Sequence, residues 1–263
     1  MQGAKMGAVS VRRLAERLSR GRAFWRRLPD EFSRAPLLVS PDAALQLLKV
    51  GAAAFDPMLL RFAREEVRPG MTVWDVGANV GILSVAAAVQ GAEVLALEPD
   101  PFLLGLLRRT AHHPDHRERV IDVLGAAAGD APGTARLSIA ARGRASNYLE
   151  AFGGRSMSGG SRSSCLVPLL TLDLIQAGRR PPDVVKIDVE GAELAVLDGA
   201  SEMLRTARPT ILVEVNAETG KAILARFSEI GGYRVFDYES GAECVAGVPL
   251  GMNLIARPAQ GNS

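Results

Sequence analysis

The run VVKIDVEGAEL, beginning at Val184, places a lysine and three acids in a stretch whose first half is apolar enough for a buried strand. Ionised groups leave water at a cost of several kcal/mol each unless they are paired, so Lys186, Asp188 and Glu190 need a reason to be there. Side chains alternate along a strand, which puts Val184, Lys186 and Asp188 on one face and Val185 and Ile187 on the other. A carboxylate tuned by a nearby lysine is suited to receive a proton as a bond forms at an oxygen. Asp188 is the first candidate for that base, Glu190 the second, and Lys186 the group that tunes them. Glu190 and Glu193 are expected in the first turn of the following helix, where the helix dipole favours acids. Glu193 is read as structural on that ground. The competing reading makes the whole cluster structural, with both glutamates capping the helix and Lys186 neutralising them.

A second group of candidates lies in WDVGANVG, residues 74–81. A strand ends at Asp75 and Val76, a glycine-containing turn follows, and a helix opens near Gly81, which aims backbone N–H groups at whatever binds there. Gly77 and Gly81 let backbone pass close to a ligand. The next strand ends in Glu98, and a carboxylate at that position of a doubly wound sheet can accept hydrogen bonds from both hydroxyls of a ribose. The Gly-x-Asn-x-Gly spacing departs from the Gly-x-Gly-x-x-Gly of dinucleotide enzymes, which disfavours a nicotinamide-dependent oxidoreductase. Together the turn and Glu98 point to a nucleoside-type ligand. Asp75 has an equal structural reading as a partner for the N–H groups of its own turn.

These residues require strands that end at one edge of a sheet, and the sequence supplies them. Strands are expected at 71–76, 92–98, 120–128, 183–188, 209–215, 233–238 and 252–257, with helices at 56–67, 82–90, 102–110, 171–176, 192–204 and 219–230. Alternation of this kind predicts an α/β fold with a mostly parallel sheet covered on both faces. Residues 129–170 interrupt it with a Gly, Ser and Arg-rich stretch, GGRSMSGGSRSS, between the short strands ARLSIA and CLVPLL. We expect a mobile insertion there, with Ser146, Asn147 and Tyr148 forming a wall of the substrate pocket.

RPGMTVWDVGANVGILSVAAA, ALEPDP, VLGAAAGDAPGTARL, VPLLTLDLI and DVVKIDVEGAELAVLDGA, in that order, resemble the FkbM family of S-adenosylmethionine-dependent methyltransferases. The resemblance runs from about Phe55 to about Arg257. It implies a class I methyltransferase (Rossmann-like) fold, a seven-stranded sheet with an antiparallel last strand, and O-methylation of a hydroxyl on a small molecule, natural product, sugar or glycan. It further implies that Asp75, Gly77, Asn79 and Gly81 surround the methionine moiety of S-adenosyl-L-methionine, that Glu98 holds the ribose, and that Ala126 and Ala127 lie beside the adenine. A magnesium ion held by Asp188, Glu214 and Asn216 is weighed against Glu214 as a partner of substrate or lysine, and the latter is preferred. The histidines His112, His113 and His116 are expected at the surface and given no role.

The charge is unevenly distributed. Residues 1–28 hold Lys5 and seven arginines against Glu16, a net charge of +7, leaving −5 for the remainder of a chain whose total is +2. A body of that sign is poorly suited to a phosphate backbone, so nucleic acid is not the favoured partner. The division expected is a basic helical extension at 1–35 and the methyltransferase domain at 36–263. In the extension, Val11, Leu14, Ala15 and Leu18 recur at helical spacing among arginines, with Trp25 and Leu28 following, so a peripheral membrane contact through residues 11–28 is one reading and a solvated helix the other. No apolar run approaches the ~20 residues of a membrane span. The start lacks the apolar core of a signal peptide, and Cys165 and Cys244 match no metal-ligand spacing. A cytoplasmic setting is expected. The alternatives kept open are an RNA methyltransferase using the basic segment and a non-catalytic nucleoside-binding module.

Overall fold

The computed structural model describes residues 18, 20–152, 160–216, 219–245 and 251–259. The chain opens with a hairpin of β1 (Phe24–Arg27) and β2 (Pro36–Val39). The central sheet follows as β3 (Thr72–Val76), β4 (Glu93–Leu97), β5 (Ile121–Leu124), β10 (Val184–Ile187), β11 (Thr210–Glu214), β12 (Tyr233–Asp237) and β13 (Asn253–Pro258). A second sheet contains β6 (Ala127–Ala128), β7 (Gly133–Ala140), β8 (Tyr148–Leu149) and β9 (Ser161–Leu170).

The central sheet runs β12-β13-β11-β10-β3-β4-β5, parallel from β11 to β5, with β13 antiparallel to both neighbours. This is the class I methyltransferase architecture expected from the sequence. The order changes direction between β3 and β10, where strand ends diverge and open α/β sheets take their ligands. Alternation divides the sheet into two faces. Val73, Val184 and Leu212 pack with helices 57–66, 82–89 and 101–111, whereas Trp74, Val185 and Val213 pack with helices 193–206 and 219–230.

Three expectations are corrected. Trp25 and Leu28 do not continue a helix: residues 24–27 are a strand, and of the helix expected around Val11, only Leu18 is among the described residues. The hairpin joins the body through its backbone, for Leu38 N–H donates to Thr110 Oγ1 at 2.9 Å and His116 Nε2–H to Pro36 O at 2.8 Å. His116 is accordingly buried, not at the surface. Arg119 donates to its Nδ1, and burial first, then Arg119, lowers its pKa, so the ring is neutral. Its core residues Leu28, Phe32 and Leu37 share the apolar cluster of helix 82–89, so chain on both sides of residue 35 contributes to one core.

The region expected as a mobile insertion forms an antiparallel β7–β9 ladder running from Gly133↔Leu169 to Ala140↔Ser161, with residues 153–159 outside the description. Its alternating small and apolar residues, Ala135, Leu137 and Ile139 inward, supply a third small core. The single helix expected at 192–204 is two, Glu193–Asp198 and Ser201–Thr206. Asp173 supplies the reason, because its carboxylate accepts from the N–H groups of Glu202 and Met203 and so starts the second helix afresh.

Leu37 tests whether the hairpin belongs to the body. Leu37→Ala is expected to lower unfolding free energy by about 2–5 kcal/mol, as for a fully buried leucine, in one cooperative urea transition. A loss below about 1 kcal/mol would mean that the hairpin is an appendage.

Candidate active site

The lysine on the buried strand is fully partnered. Lys186 faces Asp75 in the β3–β10 register. Its Nζ donates to Gly77 O at 2.7 Å and lies 3.2 Å from Asp188 Oδ2 and 3.5 Å from Asp75 Oδ1. Burial alone would pull its pKa down; Asp188 and then Asp75 outweigh that and raise it. Lys186 is therefore a fixed cation that holds three groups at the carboxyl ends of two strands.

Asp75 is buried, and its Oδ2 accepts from both the N–H (3.1 Å) and the Oγ–H (2.6 Å) of Ser84 in the first turn of helix 82–89. The structural reading of Asp75 is thus realised, although its Oδ1 faces Lys186 and makes no hydrogen bond. Gly77 sits at φ +77°, and a Cβ there would stand 1.9 Å from Asp188 O. Only glycine lets the β3 turn pass so close to the end of β10. Asn79 also adopts a left-handed conformation, φ +54°, which asparagine tolerates better than most residues. Its Oδ1 is buried without a partner.

Glu98 is buried, and each of its oxygens takes one backbone donor: Oε2 from Asn79 N–H and Oε1 from Asp100 N–H, both at 2.8 Å. A carboxylate has about four acceptor sites, so two remain for a ligand. Burial, then Asp100, raises its pKa to about 7.

Along β10, Asp188 follows the last strand residue, and Glu214 ends β11 alongside it. Burial first and then Asp188, by charge and hydrogen bond, raise the Glu214 pKa to about 8. Glu190 does not enter the helix as expected. It occupies the turn before it at φ +56°, exposed at the cleft mouth, where surrounding protein, Asp188 and Glu193 raise its pKa to about 7. Glu193 is buried and accepts from Val189 N–H and Gly191 N–H at 3.2 and 3.0 Å, so it fastens the turn.

One cleft of about 310 Å³ gathers these groups, a size within the range of small-molecule sites. Asp75, Gly77, Asn79, Glu98, Ala126, Ala127, Lys186, Asp188, Glu190 and Glu214 all line it, as do Asn147 and Tyr148. Gly81 does not. At φ +87° it begins helix 82–89, and a Cβ would meet Leu107 Cδ1 at 2.4 Å, so its role is packing. Asn216 also lies elsewhere, with Oδ1 accepting from Thr219 N–H at 2.9 Å at the start of a helix. That removes one of the three ligands of the magnesium site weighed and not preferred, and the Lys186 ammonium stands beside Asp188. The described residues contain no group of three His, Cys, Asp or Glu arranged to hold a metal.

Sequence reasoning missed the cover of the cleft. Asp100 caps helix 101–111 through Phe102 N–H, and Arg144 donates to both of its oxygens at 2.7 and 2.6 Å. Arg144 also donates to Asp42 at 2.9 Å, and Arg162 to the same carboxylate at 2.8 Å. Burial would raise the Asp42 pKa, but the two arginines lower it overall. This chain of charges draws residues 40–47 and the β7–β9 sheet against the Glu98 loop, and Ala44, Leu47 and Leu149 close the cleft. Asp100 before a proline signals a helix cap; nothing local signals an arginine 44 residues downstream.

A model of the Methyltransferase FkbM domain matches residues 75–235. The chain belongs to the FkbM methyltransferase family. This FkbM-family chain is 29% identical over 161 residues to hexuronic acid methyltransferase AglP of Haloferax volcanii, covering 60% of the one and 62% of the other. It is 34% identical over 88 residues to ribosomal protein L11 methyltransferase of Symbiobacterium thermophilum, covering 33% and 28%. Among solved structures, methyltransferase FkbM from Methylobacillus flagellatus KT superposes with a TM-score of 0.47 at 17% identity, over 82% of this chain and 58% of that one. The chain thus spans less than two thirds of the length of these relatives.

Two outcomes are expected. Arg144→Ala, which strands the buried Asp100 carboxylate, should cost about 3 kcal/mol in urea unfolding, and Arg144→Lys should not restore it, because lysine cannot span both carboxylates. A substitution that costs nothing would show that the clasp is not formed. Glu214, with its folded pKa raised from 4.5 to about 8, contributes stability that is fully present below the unfolded value and lost as pH rises through about 8. Glu214→Gln should therefore flatten the fall in unfolding free energy between pH 5 and pH 8 (about the two values) relative to wild type, and parallel profiles would refute the assignment.

Proposed function

We propose that this chain is an S-adenosylmethionine-dependent O-methyltransferase whose acceptor is a hydroxyl of a sugar, glycan or similar small molecule. The observation that carries the reading is Asp188, half-exposed at the ligand edge of the sheet, held by Lys186 at 3.2 Å and opening on the same cleft as Gly77, Asn79 and Glu98. Family membership supports methyl transfer as the chemistry.

The cofactor fits the residues present. The buried Asn79 Oδ1 has no partner, and Asn79 lines the cleft. Glu98 keeps two acceptor sites for ribose hydroxyls, and Ala126 and Ala127 offer a flat apolar wall for an adenine ring. When bound, S-adenosylmethionine supplies an electrophilic methyl carbon and a thioether leaving group. The protein's part is mostly alignment, since in-line displacement needs the acceptor oxygen held close to that carbon.

Asp188 would take the proton of the acceptor hydroxyl as its oxygen forms the new bond. Lys186 keeps Asp188 oriented, while Glu214, protonated up to about pH 8, hydrogen-bonds the carboxylate and leaves its charge on the acceptor side. Glu190 stands at the mouth as the second acid. Both cations that line the cleft, Lys186 and Arg144, are engaged by carboxylates, whereas six acids line it: Asp56, Asp75, Glu98, Asp188, Glu190 and Glu214. Among the described residues lining the cleft, that leaves no unpaired cation to hold a carboxylate or phosphate acceptor, which favours an uncharged hydroxyl. It also weighs against RNA. The hexuronic acid methyltransferase among the relatives is consistent with a carbohydrate.

S-adenosylmethionine at about 100 times its dissociation constant should add about 2.7 kcal/mol, raising the unfolding temperature by several degrees, with NAD producing no rise. Asp188→Asn should keep that rise and lose about 10²–10⁴-fold in turnover of a carbohydrate acceptor. An unchanged melting temperature with the cofactor, or full turnover by Asp188→Asn, would remove the basis of the reading.

A further inference from the structure

Residues 48–53, LKVGAA, form an unbroken exposed run that contains no acid. Val50 is 86% exposed and Leu48 49%. The run is anchored at both ends: Leu47 is buried on one side, Ala54 and Phe55 on the other, and short 3-10 turns at 45–48 and 51–54 set its shape. Anchored stems with aliphatic tips held outward differ from the scattered single apolar residues of ordinary surfaces.

Two cations, Lys49 and Arg26, lie at these tips. Lys49 lies between them. Arg26 donates to Leu47 O at 3.2 Å and Leu48 O at 3.1 Å, which places its guanidinium against the base of the loop. Arg20 donates to Ala141 O, in the segment whose next residues, Arg144 and Ala145, bond to the carbonyls of residues 42 and 43. Arg22 lies exposed between these two arginines in sequence. The nearby carboxylate of Asp42 is buried and already neutralised by Arg144 and Arg162. In sequence, residues 1–28 carry a net charge of +7.

We propose that loop 48–53, with Arg20, Arg22, Arg26 and Lys49, is a peripheral docking surface for an anionic lipid bilayer. Aliphatic side chains enter the headgroup boundary while lysine and arginine hold the anionic lipids, and the two contributions add. Single-stranded nucleic acid would instead be met by exposed aromatic platforms. Here Phe24 lies beneath Arg26, and Trp25, although 43% exposed, is held in edge contact with the His113 ring at 4.7 Å. Leu47 lines the catalytic cleft immediately behind the loop. Docking would set the mouth of the cleft at the membrane surface, facing an acceptor carried there.

The test is co-sedimentation of the full chain with vesicles of phosphatidylcholine alone, or with about a third phosphatidylglycerol. The chain is expected to sediment with the anionic vesicles, remain in solution with the neutral ones, and be released by about 0.5 M NaCl as screening shortens the reach of the charges. Leu48→Ser with Val50→Ser should weaken partitioning about tenfold or more and leave the unfolding temperature unchanged, since both side chains are already in water. Equal partitioning of the double variant, no sedimentation with anionic vesicles, or retention of an RNA oligonucleotide that such vesicles fail to displace would overturn the proposal. None of these results depends on turnover or cofactor binding, so they stand apart from the methyltransferase reading.

Discussion

The Lys186 ammonium is the constraint from which the site follows. A buried ammonium needs partners, and these are Gly77 O, which accepts its hydrogen bond, and the Asp188 and Asp75 carboxylates at 3.2 and 3.5 Å, two groups from the end of β3 and one from the end of β10. Satisfying them fixes the separation of the two strand ends at the point where the sheet opens. It also explains the conformations on either side. Gly77 must lack a Cβ because the Asp188 carbonyl is drawn against it, and the Asp188–Ala192 turn must reverse sharply, with Glu190 and Gly191 both at positive φ. Glu193 fastens that turn through its N–H groups. A residue that looks misplaced in a core strand is the one that sets the geometry of the cleft floor.

A second set of charges sets the roof. Arg144 lies between Asp42 and Asp100, and Arg162 shares Asp42. Removing one member would strand a buried charge, whereas the intact set contributes little net energy beyond what packing alone would give. Its contribution, with the backbone bonds of Arg144 and Ala145 to Asp42 O and Ala43 O, is to register three segments: residues 40–47, the Glu98 loop and the β7–β9 sheet. Asp100 serves twice, capping its helix and receiving the arginine, so the helix that follows Glu98 and the cover over it are positioned together.

The floor was legible in the sequence because its residues are close in sequence or fall on regular strand positions. Parity alone placed Lys186 and Asp188 on one face, the order of strands and helices placed Gly77 and Glu98 at the same edge, and the family resemblance added Asn79. Gly81 misled because a glycine that opens a helix against Leu107 looks the same in sequence as one that approaches a ligand. Asn216 misled because its strand parity was right but its side chain turns to Thr219. The roof was not legible. Arg144 and its partners lie 44 and 102 residues apart, and no periodicity carries that distance. The same holds for β1, where the alternation of Phe24, Trp25, Arg26 and Arg27 is too short to outweigh an arginine-rich helical pattern just before it, and where pairing with Pro36–Val39 decides the outcome.

The cleft is also where the fold gives up stability. Glu98, Glu190 and Glu214 all have pKa values raised to about 7 or 8, and in each case loss of water is the largest cause. Each would titrate lower with full access to water, and together they make the empty site more stable in acid than at neutral pH. A packed core of the same volume would avoid that cost. The arrangement makes sense only if the groups are needed near their midpoints, where a carboxyl can hold or release a proton with little driving force. Lys186 then has a second consequence. It contacts Asp75 and Asp188 directly, whereas Glu98, Glu190 and Glu214 are raised chiefly by burial. A single buried cation thereby separates the roles of acids that the sequence alone leaves indistinguishable.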